Sequence, residues 1–351
     1  MKQKKTLLTV LAIFVLFGLV YLADQNLDSY STRILNLCAI YVVLGLSMNL
    51  INGFTGLFSL GHAGFMAVGA YTTAILTMSN TVKGQNFFMV PMMKPLDTTH
   101  VPFFLALLIG GLCSGVVGYL IAAPALRLRG DYLAIATLGF AEIIRVIFTN
   151  TQSITNGALG LKGIPASANI WWTFGVATVT VLFIGSLINS SYGRAFKAIR
   201  EDEIAAESMG ISLYRHKVLA FTIGAFFAGV GGGLLGSLLG TIDPLMFRFF
   251  LTFNILLIII LGGMGSITGT ILSAFIITIG SEALRFLDES MTIGNFVIPG
   301  ISGLRMVVFS ALLMIVVLFF NKGIMGTNEF TWDRLFAKFS KKPLAKGGSK
   351  Q

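Results

Sequence analysis

VLAFTIGAFFAGVGGGLLGSLLG, residues Val218–Gly240, contains no charged side chain. A helix that crosses the ~30 Å hydrocarbon core of a bilayer needs ~20 mostly apolar residues, and this stretch has that length and chemistry. Its glycines recur every fourth position, as Gly229-x-x-x-Gly233 and Gly232-x-x-x-Gly236-x-x-x-Gly240. Together with Gly111-x-x-x-Gly115 they mark surfaces where helix backbones approach closely, which is how helices associate when lipid supplies no hydrophobic drive.

Nine further apolar runs lie to either side: Thr6–Leu22, Ile34–Asn52, Leu57–Met78, Val101–Ala123, Tyr132–Thr149, Ile170–Asn189, Phe249–Leu261, Thr268–Ile279 and Val297–Phe320. The expected fold is therefore an all-α integral membrane protein of about ten transmembrane helices. Glycines at 262, 263 and 265 interrupt one long apolar stretch, which reads as a tight reversal or a broken helix. Thr6–Leu22 follows a basic start, as in a signal peptide. Val20–Gln25 offers no small-x-small cleavage site, so the run reads as an uncleaved first helix.

The composition agrees. Of the 351 residues 55% are hydrophobic and 11% charged, with a mean hydropathy of +0.84. Soluble domains carry about 25% charged residues. The net charge of +10 raises the question of nucleic acid, and its distribution answers it. If the N-terminus lies inside and each run crosses once, the inside segments are 1–5, 53–56, 124–131, 190–217, 262–267 and 321–351. These hold Lys and Arg over the rest of the chain by two to one, as the positive-inside rule requires. No nucleic-acid partner is needed. Both termini are then cytoplasmic. Residues 1–321 form the transmembrane domain and 322–351 a basic, partly disordered cytoplasmic tail.

Cys38 and Cys113 both sit in apolar runs, and His62, His100 and His216 are far apart, so neither a disulfide framework nor a metal site is expected. No Gly-Lys pair occurs anywhere, which removes the phosphate-binding loop of an ATPase. No cofactor and no catalytic residue are implied. A membrane-embedded enzyme would need a converging catalytic constellation, and none is visible.

The polar connection 191–211 reads SYGRAFKAIREDEIAAESMGI. Ser190 or Ser191 can cap a helix start and Gly210 can end one. Phe196, Ile199, Ala206 and Met209 fall on one broad face, opposite a face carrying both signs of charge. A short amphipathic cytoplasmic helix results. It docks into a partner's groove or lies on lipid headgroups, and the acidic Glu201-Asp202-Glu203 cluster counts against the lipid surface.

Two groups of polar residues fall within the runs. Glu142 and Arg145, three apart, can pair on one helix; ionisable groups in a span mark either a functional site or a structural ion pair. Asn49, Asn52, Ser59 and His62 flank an interruption at Gly53 and Gly56. Backbone groups freed there suit a zwitterionic substrate, or the site is simply a packed bend.

The 191–211 segment resembles the coupling loop of ABC-importer permeases, whose pattern is Glu-Ala-Ala, three residues, then Gly. Ala205, Ala206 and Gly210 match; Ile204 holds the Glu position, with Glu203 one place earlier. Leu44–Phe65 (LGLSMNLINGFTGLFSLGHAGF), Arg129–Phe140 (RGDYLAIATLGF) and Leu261–Gly269 (LGGMGSITG) are similar to stretches of branched-chain amino-acid permeases. The likeness runs from about residue 33 to 322, and the Arg194–Arg200 segment favours the M-type subunit. The resemblance implies that Arg194, Arg200, Glu203, Ala205, Ala206 and Gly210 serve ATPase coupling. With the polar groups inside the runs, Asn49, Asn52, Ser59, His62, Thr137 and Glu142 are the candidates for the pathway, and the resemblance implies a bacterial-type plasma membrane around them. It further implies a second, H-type permease subunit, two ATP-binding cassette ATPase subunits, an extracytoplasmic substrate-binding protein and surrounding lipid. A urea or amide permease of the same family is one alternative. An ion-coupled secondary transporter is another, although it would need a buried relay and Glu142 is the one carboxylate well inside a run.

Overall fold

The computed structural model describes residues 2–128, 130–288, 291–293, 296–298, 303–319, 323–326 and 329. Most of the 322–351 tail lies outside the described residues.

The chain is helical almost throughout. The first helices are α1 (Lys2–Asn26), α2 (Ser29–Asn49), α3 (His62–Thr77), α4 (Asn80–Asn86), α5 (Phe103–Ala125), α6 (Asp131–Asn150) and α7 (Gln152–Thr155). After them come α8 (Ile170–Asn189), α9 (Ser191–Glu201), α10 (Glu203–Ser208), α11 (Leu213–Leu239), α12 (Phe249–Gly262), α13 (Ile267–Ala283) and α14 (Leu304–Phe319). Each of the ten apolar runs carries one of these helices. Among the described residues, 6 helices are long and apolar enough to cross a membrane: Leu7–Asn26, Ser29–Phe54, Phe103–Ala125, Asp131–Asn150, Ile170–Asn189 and Leu213–Leu239. Phe249–Gly262 and Ile267–Ala283 are shorter apolar helices.

Burial ranks the spans. The apolar stretches of Ser29–Phe54 and Leu213–Leu239 are each 78% buried, against 6% for Leu7–Asn26. So α2 and α11 form the centre, and α1 sits on the rim with Leu7 and Phe14 exposed. Close approach at the centre depends on glycine. A Cβ at Gly69 of α3 would lie 2.1 Å from the Gly229 carbonyl oxygen of α11, so those two backbones touch. Ser114 of α5 donates to the carbonyls of both Phe65 (2.9 Å) and Ala225 (2.7 Å), joining α3, α5 and α11. Not every glycine in the repeats packs in this way. A Cβ at Gly115 would meet nothing nearer than 3.6 Å, and Gly240 instead ends α11 in the left-handed region, φ 73°.

Three boundaries differ from the sequence reading. The interruption expected at Gly53 and Gly56 includes Gly56 but not Gly53, because α2 continues through a π-helical turn, Leu50–Phe54, and helical structure resumes only at His62. The 191–211 helix is two helices, divided at Asp202. Finally, Phe296–Ile298, at the start of the last apolar run, is a strand paired with Met291–Ile293, and the helix begins at Leu304.

The connections gather at two ends. At one, residues 53–56, α9, the 262–266 turn, residues 323–326 and Glu329 meet. Gly53 accepts from Arg200, Ile324 N–H donates to the Leu261 carbonyl (2.8 Å), and Glu329 Oε1 accepts from Ile267 N–H (2.6 Å). At the other, Leu161–Lys162 pairs with Thr241–Ile242, and Asn86 donates to the Lys162 carbonyl (2.9 Å). Lys83 is buried there and donates to the Leu96 carbonyl (2.8 Å) and to Thr99; burial holds its pKa below the usual lysine value.

Candidate functional site

The coupling loop starts where α8 stops. Ser190 has an extended backbone, and its Oγ accepts from Tyr192 N–H (3.2 Å), opening α9. Gly193, Ala195, Phe196 and Ile199 then turn inward, with Phe196 completely buried. Lys197 lies over the Phe54 ring, 6.0 Å from its centroid. At Asp202 the backbone opens to φ −157°, ψ 113°, and the carboxylate accepts from Ile204 N–H (2.8 Å) and Ala205 N–H (3.0 Å). A side chain that satisfies two amides of a new helix ends the old one, so the acidic cluster breaks the loop in two. Past α10, Gly210 sits at φ 81°, and Ile211 N–H reaches back to the Ala206 carbonyl (3.1 Å). This is the six-to-one bond of a glycine-terminated helix.

The face expected to run from Phe196 to Met209 is therefore split. Phe196, Ile199 and Ala206 are buried, while Met209 is 83% exposed and Ile204 76%. Ala205 and Gly210 are exposed with them, and Ala206 faces inward. Glu203 leaves the solvent face to pair with Lys217 of α11 (2.6 Å), and Arg194, exposed, donates to Ser191 (2.9 Å). Arg200 also turns away from the surface. Its Nη1 donates to the Gly53 carbonyl (3.1 Å), while Nε and Nη2 hold Glu201.

Asn52, Ser59 and Thr137 meet at the irregular segment 55–61, His62 follows it directly, and Asn49 bonds the other glycine-rich turn. Asn52 bonds the Ser59 backbone in both directions, Nδ2 to carbonyl at 3.2 Å and amide to Oδ1 at 3.4 Å. Thr137 Oγ1, from α6, accepts from Leu60 N–H (3.0 Å). His62 opens α3, and its Nε2 meets Ser47 Oγ at 2.8 Å. Asn49 spans the gap to the other glycine-rich turn: Oδ1 accepts from Gly265 N–H (2.9 Å), and Nδ2 donates to the Ser266 carbonyl (3.0 Å) and Thr270 Oγ1 (2.8 Å). All five are buried and hydrogen-bonded within the chain. Freed backbone groups in a membrane must find such partners, and here side chains supply them.

Glu142 stands apart on α6. Its Oε2 accepts from Arg145 Nε at 2.7 Å, and the two side chains are 39% and 23% exposed. The inner face of the same helix, with Leu133, Thr137, Ala141 and Ile144, packs against the rest of the chain.

Sequence reasoning missed Ser47, Thr252, Thr270 and Glu329. Thr252 Oγ1 accepts from Ala63 N–H (2.9 Å), and Glu329 accepts from the amides of Ile267 and Thr268 at the α13 N-terminus. Each makes its contact across a long sequence separation, and no local spacing marks it.

Comparisons with known proteins add the following. Residues 30–318 match the family model described as branched-chain amino acid transport system / permease component. The LivM permease protein of the high-affinity branched-chain amino acid transport system of Salmonella typhimurium is 35% identical over 322 residues, covering 82% of this chain and 70% of that protein. Its Escherichia coli counterpart matches at the same identity and coverage. The LivH permease protein of Salmonella typhimurium is 25% identical, covering 82% of this chain and 92% of its own. No solved structure matches. The apolar helices, the two glycine-marked turns and the matched length lead to one assignment: this multi-pass membrane protein belongs to the branched-chain amino acid transport system permease family.

Proposed function

We propose that this chain is the M-type permease subunit of an ATP-driven importer for branched-chain amino acids, crossing the membrane ten times with both termini in the cytoplasm. The observation that carries the coupling role is the exposed pair of Ile204 on α10 and Met209 just past its end. Large apolar side chains at the polar end of a membrane protein, rimmed by Glu207 and Ser208, suit burial against a partner. Two ATP-binding cassette subunits supply the energy, since this sequence lacks a phosphate-binding loop. An H-type permease completes the pathway, and an extracytoplasmic binding protein delivers substrate.

The gathering of residues 53–56, α9, 262–266, 323–326 and Glu329 at one end supports the topology, because all of them belong to segments that lie inside when each run crosses once. Within the pathway set, Glu142 differs from the buried residues around segment 55–61. An ion pair partly exposed on a spanning helix is unfavourable against lipid and suits a water-lined or subunit-covered face. Asn52, Ser59, His62 and Thr137 hold the bend that leads into α3, and Asn49 ties α2 to the α12–α13 turn.

Reconstitution of the full complex with its binding protein tests this reading. Uptake of labelled leucine is expected to require ATP inside and to persist when ion gradients are collapsed. Uptake that follows an ion gradient without ATP would establish a secondary transporter instead.

A further inference from the structure

The end of α9 meets two glycine-marked turns that are remote in sequence. Arg200 Nη1 donates to the Gly53 carbonyl at 3.1 Å, at the end of the π-helical turn that finishes α2. Its stem crosses Gly56 so closely that a Cβ there would lie 2.9 Å from Arg200 Cγ and 3.1 Å from its Cα. A Cβ at Gly265, in the α12–α13 turn, would lie 2.6 Å from the same Nη1. The two turns are also tied to each other, since Asn49, one helical turn before Gly53, accepts from Gly265 N–H at 2.9 Å. Gly56 and Gly265 thus leave the space that the Arg200 side chain fills, and Gly53 supplies the carbonyl that it bonds.

Resting on the ATP-driven reading above, we infer that Arg200 is a positioning residue that links the coupling loop to both turns, so that movement of α9 displaces the ends of α2 and α12 together. The guanidinium suits the task. One nitrogen holds the backbone of the membrane bundle while Nε and Nη2 are held by Glu201 on α9. A planar, always charged fork can bond in both directions at once, and an ammonium cannot reproduce that geometry. Arg200 is 26% exposed in its side chain and commits Nη1 to the bundle and Nε and Nη2 to Glu201, so ATPase docking falls to the neighbouring exposed face of α10.

The test uses the complete reconstituted complex carrying Arg200→Ala or Arg200→Lys. Three quantities are read: ATPase subunits retained on purification, ATP hydrolysed, and labelled leucine imported per ATP. For Arg200→Ala we expect retained ATPases, continued hydrolysis and at least about a tenfold fall in leucine per ATP. Arg200→Lys, which keeps the charge and a single donor nitrogen, is expected to recover part of that ratio. If Arg200→Ala does not assemble, Arg200→Lys carries the test alone, with a ratio below that of the wild type. A wild-type ratio in the assembled variant overturns the inference. So does loss of the ATPases in step with transport, which would make Arg200 a docking residue, and so does an absence of any rescue by lysine. Failure of the ATP-driven reading is a separate result: the wild-type complex itself would retain no ATPases and hydrolyse no ATP.

Discussion

Helices α9 and α10 are adjacent in sequence and opposite in use. α9 sinks apolar side chains into the bundle, with Phe196 fully buried and Ile199 2% exposed, whereas α10 and its C-terminal cap hold Ile204 and Met209 out at 76% and 83%. One residue makes the difference. Asp202 leaves the helical region, caps α10, and redirects the chain so that side chains which would have continued one stripe face another way. An anchored half and a presented half are what a loop needs if it is to pass movement between a partner and the membrane domain.

The contrast breaks most severely on the anchored side. Phe196→Ala should remove about 3–5 kcal/mol of stability, because a fully buried ring leaves a cavity. The loss should be read as a lower melting temperature and lower monodisperse yield in detergent. A folded, wild-type-stable variant would show that α9 is not an anchor.

The presented half should respond in the other way. Met209→Asp or Ile204→Glu should leave melting unchanged and lower retention of the ATPase subunits about thirtyfold, the equivalent of ~2 kcal/mol at a central interface residue. Full retention with both substitutions present would move the docking surface elsewhere. Ala206→Glu would not distinguish the two halves, because Ala206 is buried and a charge there would damage the fold as well.

The smallest effect concerns the hinge. Asp202→Ala removes the acceptor for two amides and should cost about 1 kcal/mol of local helix stability. Hydrogen exchange of residues 204–208 should then quicken, with no change around Phe196. Unchanged exchange at 204–208 would mean that the α10 direction is fixed by packing alone.

Some of this contrast was legible in the residues. Ser190 and Gly210 carry the start and stop chemistry of a helix, and both act as that chemistry requires. Asp202 also belongs to the residue types that cap helices, but inside an amphipathic pattern it reads equally well as one more charge on the solvent face. Glycine spacing announced close packing, and Gly69 against Gly229 provides it across α3 and α11. It could not say which glycine would instead end a helix, as Gly240 does.

What the sequence determined alone was the solvent of the protein. Runs such as Val218–Gly240 are long, apolar and uncharged, and burial of backbone polar groups in lipid leaves such runs little choice but helix. The family likeness and the absence of a phosphate-binding loop were equally local. Tertiary structure decided the junctions: Asn49 to Gly265, Thr137 to Leu60, Arg200 to Gly53 and Glu329 to the α13 N-terminus. The physical reason is that a polar group inside a membrane protein must be satisfied, but its partner is chosen by packing geometry across long separations. A window of sequence shows that Asn49 is polar and in an apolar run; only the folded chain shows which amide it accepts from.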